Sequence, residues 1–265
     1  MTTYSDLLTK IEPIDLGYII DFDKPVLPYW KQVTNAMCSA PHCHPRGQFI
    51  FSVRGITRVV TDDGIFLIPP SQAFWCPPNV THELVFSGAV DIANLFIDPA
   101  WVYSLPEYPQ IFNISVLVNS LVERAMQMGC DYSVNGKEYR LMLVLIDEIS
   151  GLEKSLLSLP WSNRDKLNDI LFSLTKEPSN TDSIEQWAKS IYVSPRTLAR
   201  MFQKELGMTF TEWRMRVRLF YAIEQLHDGK SVTYIALELG YSTPSAFIAA
   251  FRNIMGKSPL EYITV

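Results

Sequence analysis

The last hundred or so residues of the chain repeat themselves at an offset of 49, and the repeated unit has the pattern of a helix-turn-helix. Self-similarity at a fixed period indicates a repeated supersecondary unit, which constrains the fold more than any single motif does. The sequence therefore predicts an all-α C-terminal domain that contains two copies of one unit. The aligned pairs are Leu198 and Phe247, Phe202 and Phe251, Gly207 and Gly256, Glu212 and Glu261, and Trp213 and Tyr262.

The first copy carries the signals of two short helices joined by a turn. Ser183 and Ser194 stand where N-caps are expected, Pro195 takes a first helical position, and Gly207 takes a C-terminal one. The second helix is predicted at residues 194–206. Its buried stripe is formed by Leu198, Met201, Phe202 and Leu206.

The opposite face of that second helix is basic. Arg196 and Arg200 are four residues apart and are therefore neighbours on one side of the helix. A guanidinium fork near a helix N-terminus matches guanine O6 and N7 and the phosphate oxygens in a major groove. DNA contacts from the first copy are expected at Ser194, Arg196, Thr197, Arg200, Gln203 and Lys204.

The second copy has a helix predicted at residues 243–255, with Thr243 as its cap and Gly256 as its end. Its outward face is small and nearly uncharged, so it lacks a base-specific fork. We expect this copy to read less sequence than the first. Its expected DNA contacts are Thr243, Ser245, Ala249 and Arg252.

Residues 235–252, which read IALELGYSTPSAFIAAFR, together with residues 256–262, resemble the signature of the AraC/XylS family of bacterial transcription regulators. The resemblance covers about the last hundred residues. It implies seven helices and two recognition helices that enter successive major-groove segments, with base-contacting positions at Arg196, Arg200, Ser245 and Ala249. Some members have a base-reading arginine where this chain has Ala249. The alternative is a degenerate helical repeat that binds protein.

Charge is distributed unevenly along the chain. Residues 1–163 contain 10 Lys and Arg against 17 Asp and Glu, and residues 164–265 contain 13 against 11, so the net charge of −5 divides into −7 and +2. A weakly basic C-terminal part predicts modest non-specific affinity for nucleic acid. We place the domain boundary within Ser158–Asn163, which gives domains of residues 1–160 and 161–265.

The four cysteines show no C-x-x-C pairing, which favours a reducing compartment. No stretch reaches transmembrane length, and Met1–Asp6 has no basic region followed by an apolar core. We therefore expect a cytoplasmic protein with no membrane partner.

Residues 30–100 carry strand signals: short β-branched and aromatic runs, separated by turns such as Asp62–Gly64. Helical patterns at residues 114–128 and 137–157 follow. The fold class is therefore predicted as α+β multidomain, with an N-terminal cupin-like β-barrel, two or so flanking helices and a C-terminal all-α domain. The second flanking helix either forms a homodimer contact or packs on its own barrel.

Three of the four histidines, His42, His44 and His82, lie in the predicted barrel. The spacing from His42 through Gln48 to Gly55 resembles the first motif of the cupin superfamily, which usually has glutamate at the glutamine position. Residues 77–82 resemble the second motif, with Asn79 in place of glycine. In metal-binding cupins the matched residues, here His42, His44, Gln48 and His82, converge on one ion.

These residues allow three interpretations: a divalent transition-metal site, a metal-free pocket for an organic effector, or a structural cluster. Imidazoles with one oxygen ligand suit zinc, iron, nickel or manganese, but the neutral Gln48 removes charge compensation. No cofactor is required by the sequence. Effector contacts are expected from His42, His44, Gln48, His82, Arg46 and Trp75.

Together these features predict a non-enzymatic transcription regulator that binds promoter DNA and responds to a small molecule or metal in its barrel. RNA polymerase and a second copy of the chain are further expected partners. Two alternatives remain: a metal-dependent cupin enzyme with an accessory DNA-binding domain, and a constitutive DNA-binding protein with an inert barrel.

Overall fold

In a computed structural model of the chain, residues 8–70, 72–162 and 164–263 are described. The segment Met1–Asp6 and Asn163 of the predicted boundary lie outside these ranges. The chain divides into two compact units. The first extends to Ser158 and the second begins at Leu159, with the turn Asp62–Gly64 counted in the second. No helix in the described ranges is long and apolar enough to cross a bilayer.

The first unit is built around two β-sheets, where the sequence predicts one closed barrel. The strands are β1 (Thr9–Ile11), β2 (Val26–Val33), β3 (Met37–Ser39), β4 (Gly47–Arg54), β5 (Thr57–Thr61), β6 (Gly64–Ile68), β7 (Gln72–Cys76), β8 (His82–Phe86), β9 (Val90–Ile97), β10 (Gln110–Asn113) and β11 (Ser158–Pro160). One sheet has the order β1-β3-β8-β5-β6-β11, and the other has the order β10-β7-β4-β9-β2.

Strands β4 and β9 of the five-stranded sheet are buried over most of their length, although Gln48, Ser52 and Asn94 among their buried residues are polar. Phe49 and Leu95 face each other in the β4–β9 register, and Gln48 pairs with Phe96 on the opposite face. Successive side chains alternate between faces. The face with Phe49 packs against helices α1 (Val116–Met128) and α2 (Lys137–Ser150), and the face with Gln48 forms the interior of the unit.

Both flanking helices occur where the sequence predicts them, but α2 ends earlier than its pattern indicates. Ser115 caps α1 by accepting from the Val118 N–H. Residues 137–157 were predicted as one helix, whereas α2 ends at Ser150 and Gly151 follows it. The rest of the predicted segment returns to extended chain. Ser155 donates from its backbone to Ile111 and so pairs with the β10 segment.

The second unit is helical, and its helices are α3 (Asp165–Lys176), α4 (Ile184–Ser190), α5 (Pro195–Leu206), α6 (Phe210–His227), α7 (Val232–Glu238), α8 (Pro244–Met255) and α9 (Pro259–Ile263). The pairs α4–α5 and α7–α8 form the two predicted helix-turn-helix units. Ser183, Ser194 and Thr243 cap their helices as predicted, and Gly207 and Gly256 have the left-handed φ expected after α5 and α8.

Candidate effector site and nucleic-acid interface

The three histidines of the first unit converge as the sequence predicts. The ligand nitrogens of His42, His44 and His82 lie within 4.8 Å of one another. His82 begins β8, and His42 is held beside it by an isolated bridge with N–O distances of 3.0 and 2.9 Å. The H-x-H spacing of His42 and His44 would place both side chains on the same side of a strand. The structure gives that segment only this single bridge, and the bend at residue 41 brings both rings inward.

Each of the three imidazoles has its Nδ1 atom next to a backbone carbonyl oxygen. The distances are 2.9 Å from His42 to Ala40, 2.7 Å from His44 to Arg46, and 2.9 Å from His82 to Val80. A carbonyl only accepts, so Nδ1 carries the proton in each neutral ring. The tautomer that results leaves Nε2 with a free lone pair.

Gln48 links two of these rings. Its Oε1 lies 3.1 Å from the His44 Nε2 and 2.9 Å from the His82 Nε2. Its Nε2 donates to the Oδ1 of Asn94 at 2.8 Å. In this orientation the Gln48 oxygen and the two imidazole lone pairs are all acceptors, and they point at one another.

Burial keeps the imidazoles neutral. It lowers the pKa of His82 to about 3, against a smaller opposing effect of the Val80 carbonyl and with a further small lowering by the two neighbouring imidazoles, and it lowers the pKa of His42 and His44 as well. Neutral rings keep their lone pairs available well below the ordinary pKa of histidine. The Cys76 Sγ lies 3.4 Å from the His82 Nδ1, but burial raises the pKa of this thiol to about 12, so it stays protonated.

The residues around Gly17 cover the His44 side of the cluster. A Cβ added to Gly17 would lie 2.6 Å from the His44 ring, so only glycine fits there. The ring of Tyr18 contacts the His44 ring edge-on, with 5.9 Å between the two ring centroids. This covering segment leaves His44 and His82 almost fully buried, while His42 is more accessible.

Arg46 and Trp75 do not lie with the other four predicted effector residues. Arg46 is fully buried, donates from its guanidinium to the carbonyls of Lys24 and Phe96, and pairs with Asp98 at 3.3 Å. Trp75 points to the helix-packed face of the five-stranded sheet and donates to the Pro106 carbonyl at 2.8 Å. The structure gives both side chains structural partners.

A small cavity adjoins the histidine cluster, with an empty volume of about 380 Å³ that includes space open to solvent. His42, Gln48 and Asn94 form part of its wall, and most of the remaining wall is apolar. Lys31 also lines the cavity. Sequence reasoning missed both Lys31 and Asn94. The signal for Asn94 was available, because it is a lone amide in the apolar strand β9.

In the first helix-turn-helix unit, the exposed face of α5 is free to contact a ligand. Ser194 and Thr197 use their hydroxyls in the cap, with the Ser194 Oγ 3.1 Å from the Thr197 N–H. No hydrogen bond or ion pair within the described residues engages the exposed side chains of Arg196, Arg200, Gln203 and Lys204.

In the second unit, α8 exposes Ser245, Ala246 and Ala249. Thr243 uses its hydroxyl to cap the Ala246 N–H at 3.2 Å. Arg252 pairs with Glu261 at 3.4 Å. The predicted contacts of this copy thus include one arginine that already has a partner.

Two family models match the chain: one described as "Helix-turn-helix domain" over residues 187–264, and one described as "AraC-like ligand binding domain" over residues 32–127. The HTH-type transcriptional regulator NimR of Escherichia coli is 30% identical over 230 residues, which cover 87% of this chain and 84% of that protein. The probable transcriptional regulator LumQ of Photobacterium leiognathi is 23% identical over 232 residues, covering 83% and 90%. Among solved structures, fatty-acid-bound ToxT from Vibrio cholerae shares 16% identity, covers 89% of this chain and 94% of that one, and has a TM-score of 0.38.

Proposed function

Since the chain belongs to the AraC/XylS family of bacterial transcription regulators, we propose that its DNA binding is controlled through a divalent transition-metal ion held by His42, His44, Gln48 and His82. The family membership supports a regulator over a cupin enzyme. The proposal adds the metal as part of the sensor and names the helices that read the DNA.

The metal proposal rests on the hydrogen-bond acceptors that converge around Gln48. The Nε2 lone pairs of His44 and His82 converge on the Gln48 oxygen, a ligand nitrogen of His42 lies within 4.8 Å of theirs, and a cation satisfies all four groups at once. Ligand atoms about 2.0–2.1 Å from one ion lie roughly 3.0–3.4 Å apart. The Gln48 Oε1 lies close to this range, 3.1 Å from the His44 Nε2 and 2.9 Å from the His82 Nε2, and the histidine nitrogens, within 4.8 Å of one another, would draw together on one ion. Carbonyl oxygens behind each Nδ1 are the outer partners that metal-binding histidines usually have.

A metal-free arrangement competes with this one. Turning the Gln48 amide by 180° would let its NH₂ group donate to the Nε2 atoms of His44 and His82. Asn94 would then turn as well, because its Nδ2, which has no partner in the described structure, could donate to the Gln48 oxygen. The two arrangements differ in metal content, which is directly measurable.

On the DNA side, we propose that α5 and α8 enter the major groove and that Arg196 and Arg200 make the base contacts. The support is their exposure, together with the capped and buried frame that holds α5 in place. We propose that Ser194, Thr197 and Thr243 contact phosphate and not bases, since their hydroxyls already take part in the helix caps.

We also propose that the regulator acts as a homodimer through its flanking helices. Val116 is 87% exposed, Leu117 50% and Val144 46%, which is high for large apolar side chains on α1 and α2. Such a surface favours protein contact. Metal or effector binding would then shift the population of protomer arrangements that fit DNA.

Elemental analysis of the purified full-length protein tests the metal site. We expect near-stoichiometric transition metal in the wild type and in the control Cys43→Ala, whose thiol is exposed between the two histidines. His42→Ala with His44→Ala should remove the metal, and Gln48→Glu should tighten it by adding a negative charge. Acid should release the metal because protons compete for the imidazoles.

Wild-type protein that stays metal-free after incubation with Zn²⁺, Fe²⁺, Ni²⁺ or Mn²⁺ would contradict the site and favour the turned amide. Gln48→Glu covers the case in which the double histidine variant fails to fold, because it is expected to gain affinity.

A further inference from the structure

We infer that the cavity beside the histidine cluster binds the carboxylate group of a small organic acid, through Lys31 and Asn94. This inference rests on the proposed function in taking the cavity as the effector site, and on the orientation of Gln48 and Asn94 that leaves the Asn94 Nδ2 without a partner among the described residues. It names the chemical class of the effector.

Lys31 is a cation on the cavity wall with no partner. It lies on β2 at a position that faces the interior, opposite Ile92 of β9. Within the described part of the chain, it forms neither an ion pair nor a hydrogen bond. Burial lowers its pKa, which shows that the ammonium is partly removed from water without a compensating anion. Glu12, which is exposed, is the carboxylate that also lines this wall.

Asn94 supplies a second unused donor. It is 1% exposed, its Oδ1 accepts from Gln48, and its Nδ2 has no partner among the described residues. A buried N–H without a partner costs free energy, so a ligand acceptor at this point would be favourable. The Asn94 side chain lines the same cavity as Lys31.

The sheet places these two donors close enough to share one group. Lys31 pairs with Ile92, so Asn94 is its diagonal neighbour on the same face of β2 and β9. Diagonal neighbours lie about 7–8 Å apart, a distance that the long lysine side chain can cover. One oxygen of a carboxylate can then accept from the Lys31 Nζ and the other from the Asn94 Nδ2.

The rest of the cavity wall determines the chemistry of the ligand beyond its carboxylate. Apart from Glu12, Ser39, His42 and Gln48 it is apolar, so the body of the acid should be mainly hydrocarbon and compact. One cation and one amide donor match a single negative charge, whereas a phosphate dianion would leave several oxygens unsatisfied. The apolar wall is formed by Ile11, Ile14, Leu84, Phe86, Ile92 and Phe96.

Isothermal titration calorimetry with the full-length protein tests the inference. The probes are 3-phenylpropanoate, 4-methylpentanoate and butanoate, each beside its neutral primary amide. We expect at least one acid to bind, and to bind roughly tenfold or more tightly than its amide, because charged hydrogen bonds are the stronger ones.

Two variants and one control locate the contact. Lys31→Met keeps the length of the side chain and removes the charge. Asn94→Asp keeps an acceptor for Gln48, loses the donor and repels an anion. Both should weaken acid binding roughly tenfold or more, whereas Lys10→Met, at an exposed site on β1, should not change it.

Equal affinity for acid and amide, full affinity in Lys31→Met, or no binding of any of the three acids at roughly 10 mM would overturn the inference. Metal content, measured on the same samples, keeps the two proposals separate. Metal-free protein that binds the acids refutes only the metal site, and metal-loaded protein that binds none refutes only the carboxylate site.

Discussion

The two helix-turn-helix units have the same scaffold and different surfaces. Helices α5 and α8 each have 12 residues, begin with a proline behind a hydroxyl cap, and end at a glycine in the left-handed region. Both bury a phenylalanine at the same repeat position, Phe202 and Phe251. On the exposed side, α5 presents two unpaired arginines, whereas α8 presents alanine and serine, and its Arg252 is paired with Glu261.

The difference shows which positions of a repeat can diverge. Caps and buried side chains hold each recognition helix in place, so both copies keep them. Exposed positions contribute little to stability, so they can change with the DNA sequence that each copy contacts. We therefore expect the first copy to supply most of the sequence specificity.

The turns within the two units also differ. The turn residue with positive φ is Tyr192 between α4 and α5, and Gly240 between α7 and α8. The N-cap Ser194 follows Tyr192 by two residues, whereas the N-cap Thr243 follows Gly240 by three. A tyrosine in the left-handed region is strained, and Tyr192 is 92% exposed, so packing does not hold it there.

The largest expected effect comes from the arginines of α5. Arg196→Ala or Arg200→Ala should weaken binding to a specific site by about 1–3 kcal/mol and relax the base preference, because each removes a guanidinium fork. Gel-shift titrations against specific and random DNA measure this. Arg54→Ala, an exposed arginine on β4, is the control. An equal loss on random DNA would reduce the role of the arginines to phosphate contact.

A smaller effect, on the free energy of unfolding, is expected at the two helix-turn-helix turns, with opposite signs for the substitutions at Tyr192 and Gly240. Tyr192→Gly should stabilise the second unit of the chain by about 0.5–1 kcal/mol, because it relieves the strained φ. Gly240→Ala should destabilise it by about 1 kcal/mol, since a Cβ has space there but an unfavourable φ. Calorimetric melting of both variants checks the signs. Changes of the same sign would contradict backbone strain from the left-handed φ at these two positions.

The smallest effect is expected on α8. Ser245→Ala should weaken specific binding by less than about 0.5 kcal/mol, because a lone hydroxyl makes no bidentate contact with a base. The same gel-shift titrations compare it with Arg196→Ala. A loss as large as that of the arginine variant would show that α8 reads DNA through shape or apolar contacts.

The helical unit that begins at Leu159 was largely predictable from the sequence, because the signals for its helices are local. A cap such as Ser194 and an end such as Gly207 act within one helical turn. The end of α2 at Ser150 was missed because the apolar pattern continues through Leu152, while β10 draws the following residues into extended pairing.

In the first unit, the histidine cluster was predictable from motif spacing, but its surroundings were not. Whether Trp75 or Cys76 faces the interior depends on strand register, which one residue of shift reverses. Arg46 looked available to an effector, yet the carbonyls that it binds come from distant parts of the chain. Lys31 and Asn94 are diagonal neighbours only because of the register in which β2 pairs with β9.

The unequal reading of DNA by the two units is tested most directly by selecting binding sites from a random DNA library with the full-length protein. We predict two blocks of base preference on one DNA face, one of them clearly stronger. The strong block should disappear when the selection is repeated with the double variant Arg196→Ala with Arg200→Ala, and the weak block should remain. Two blocks of equal strength, or a strong block that survives the arginine substitution, would contradict the account.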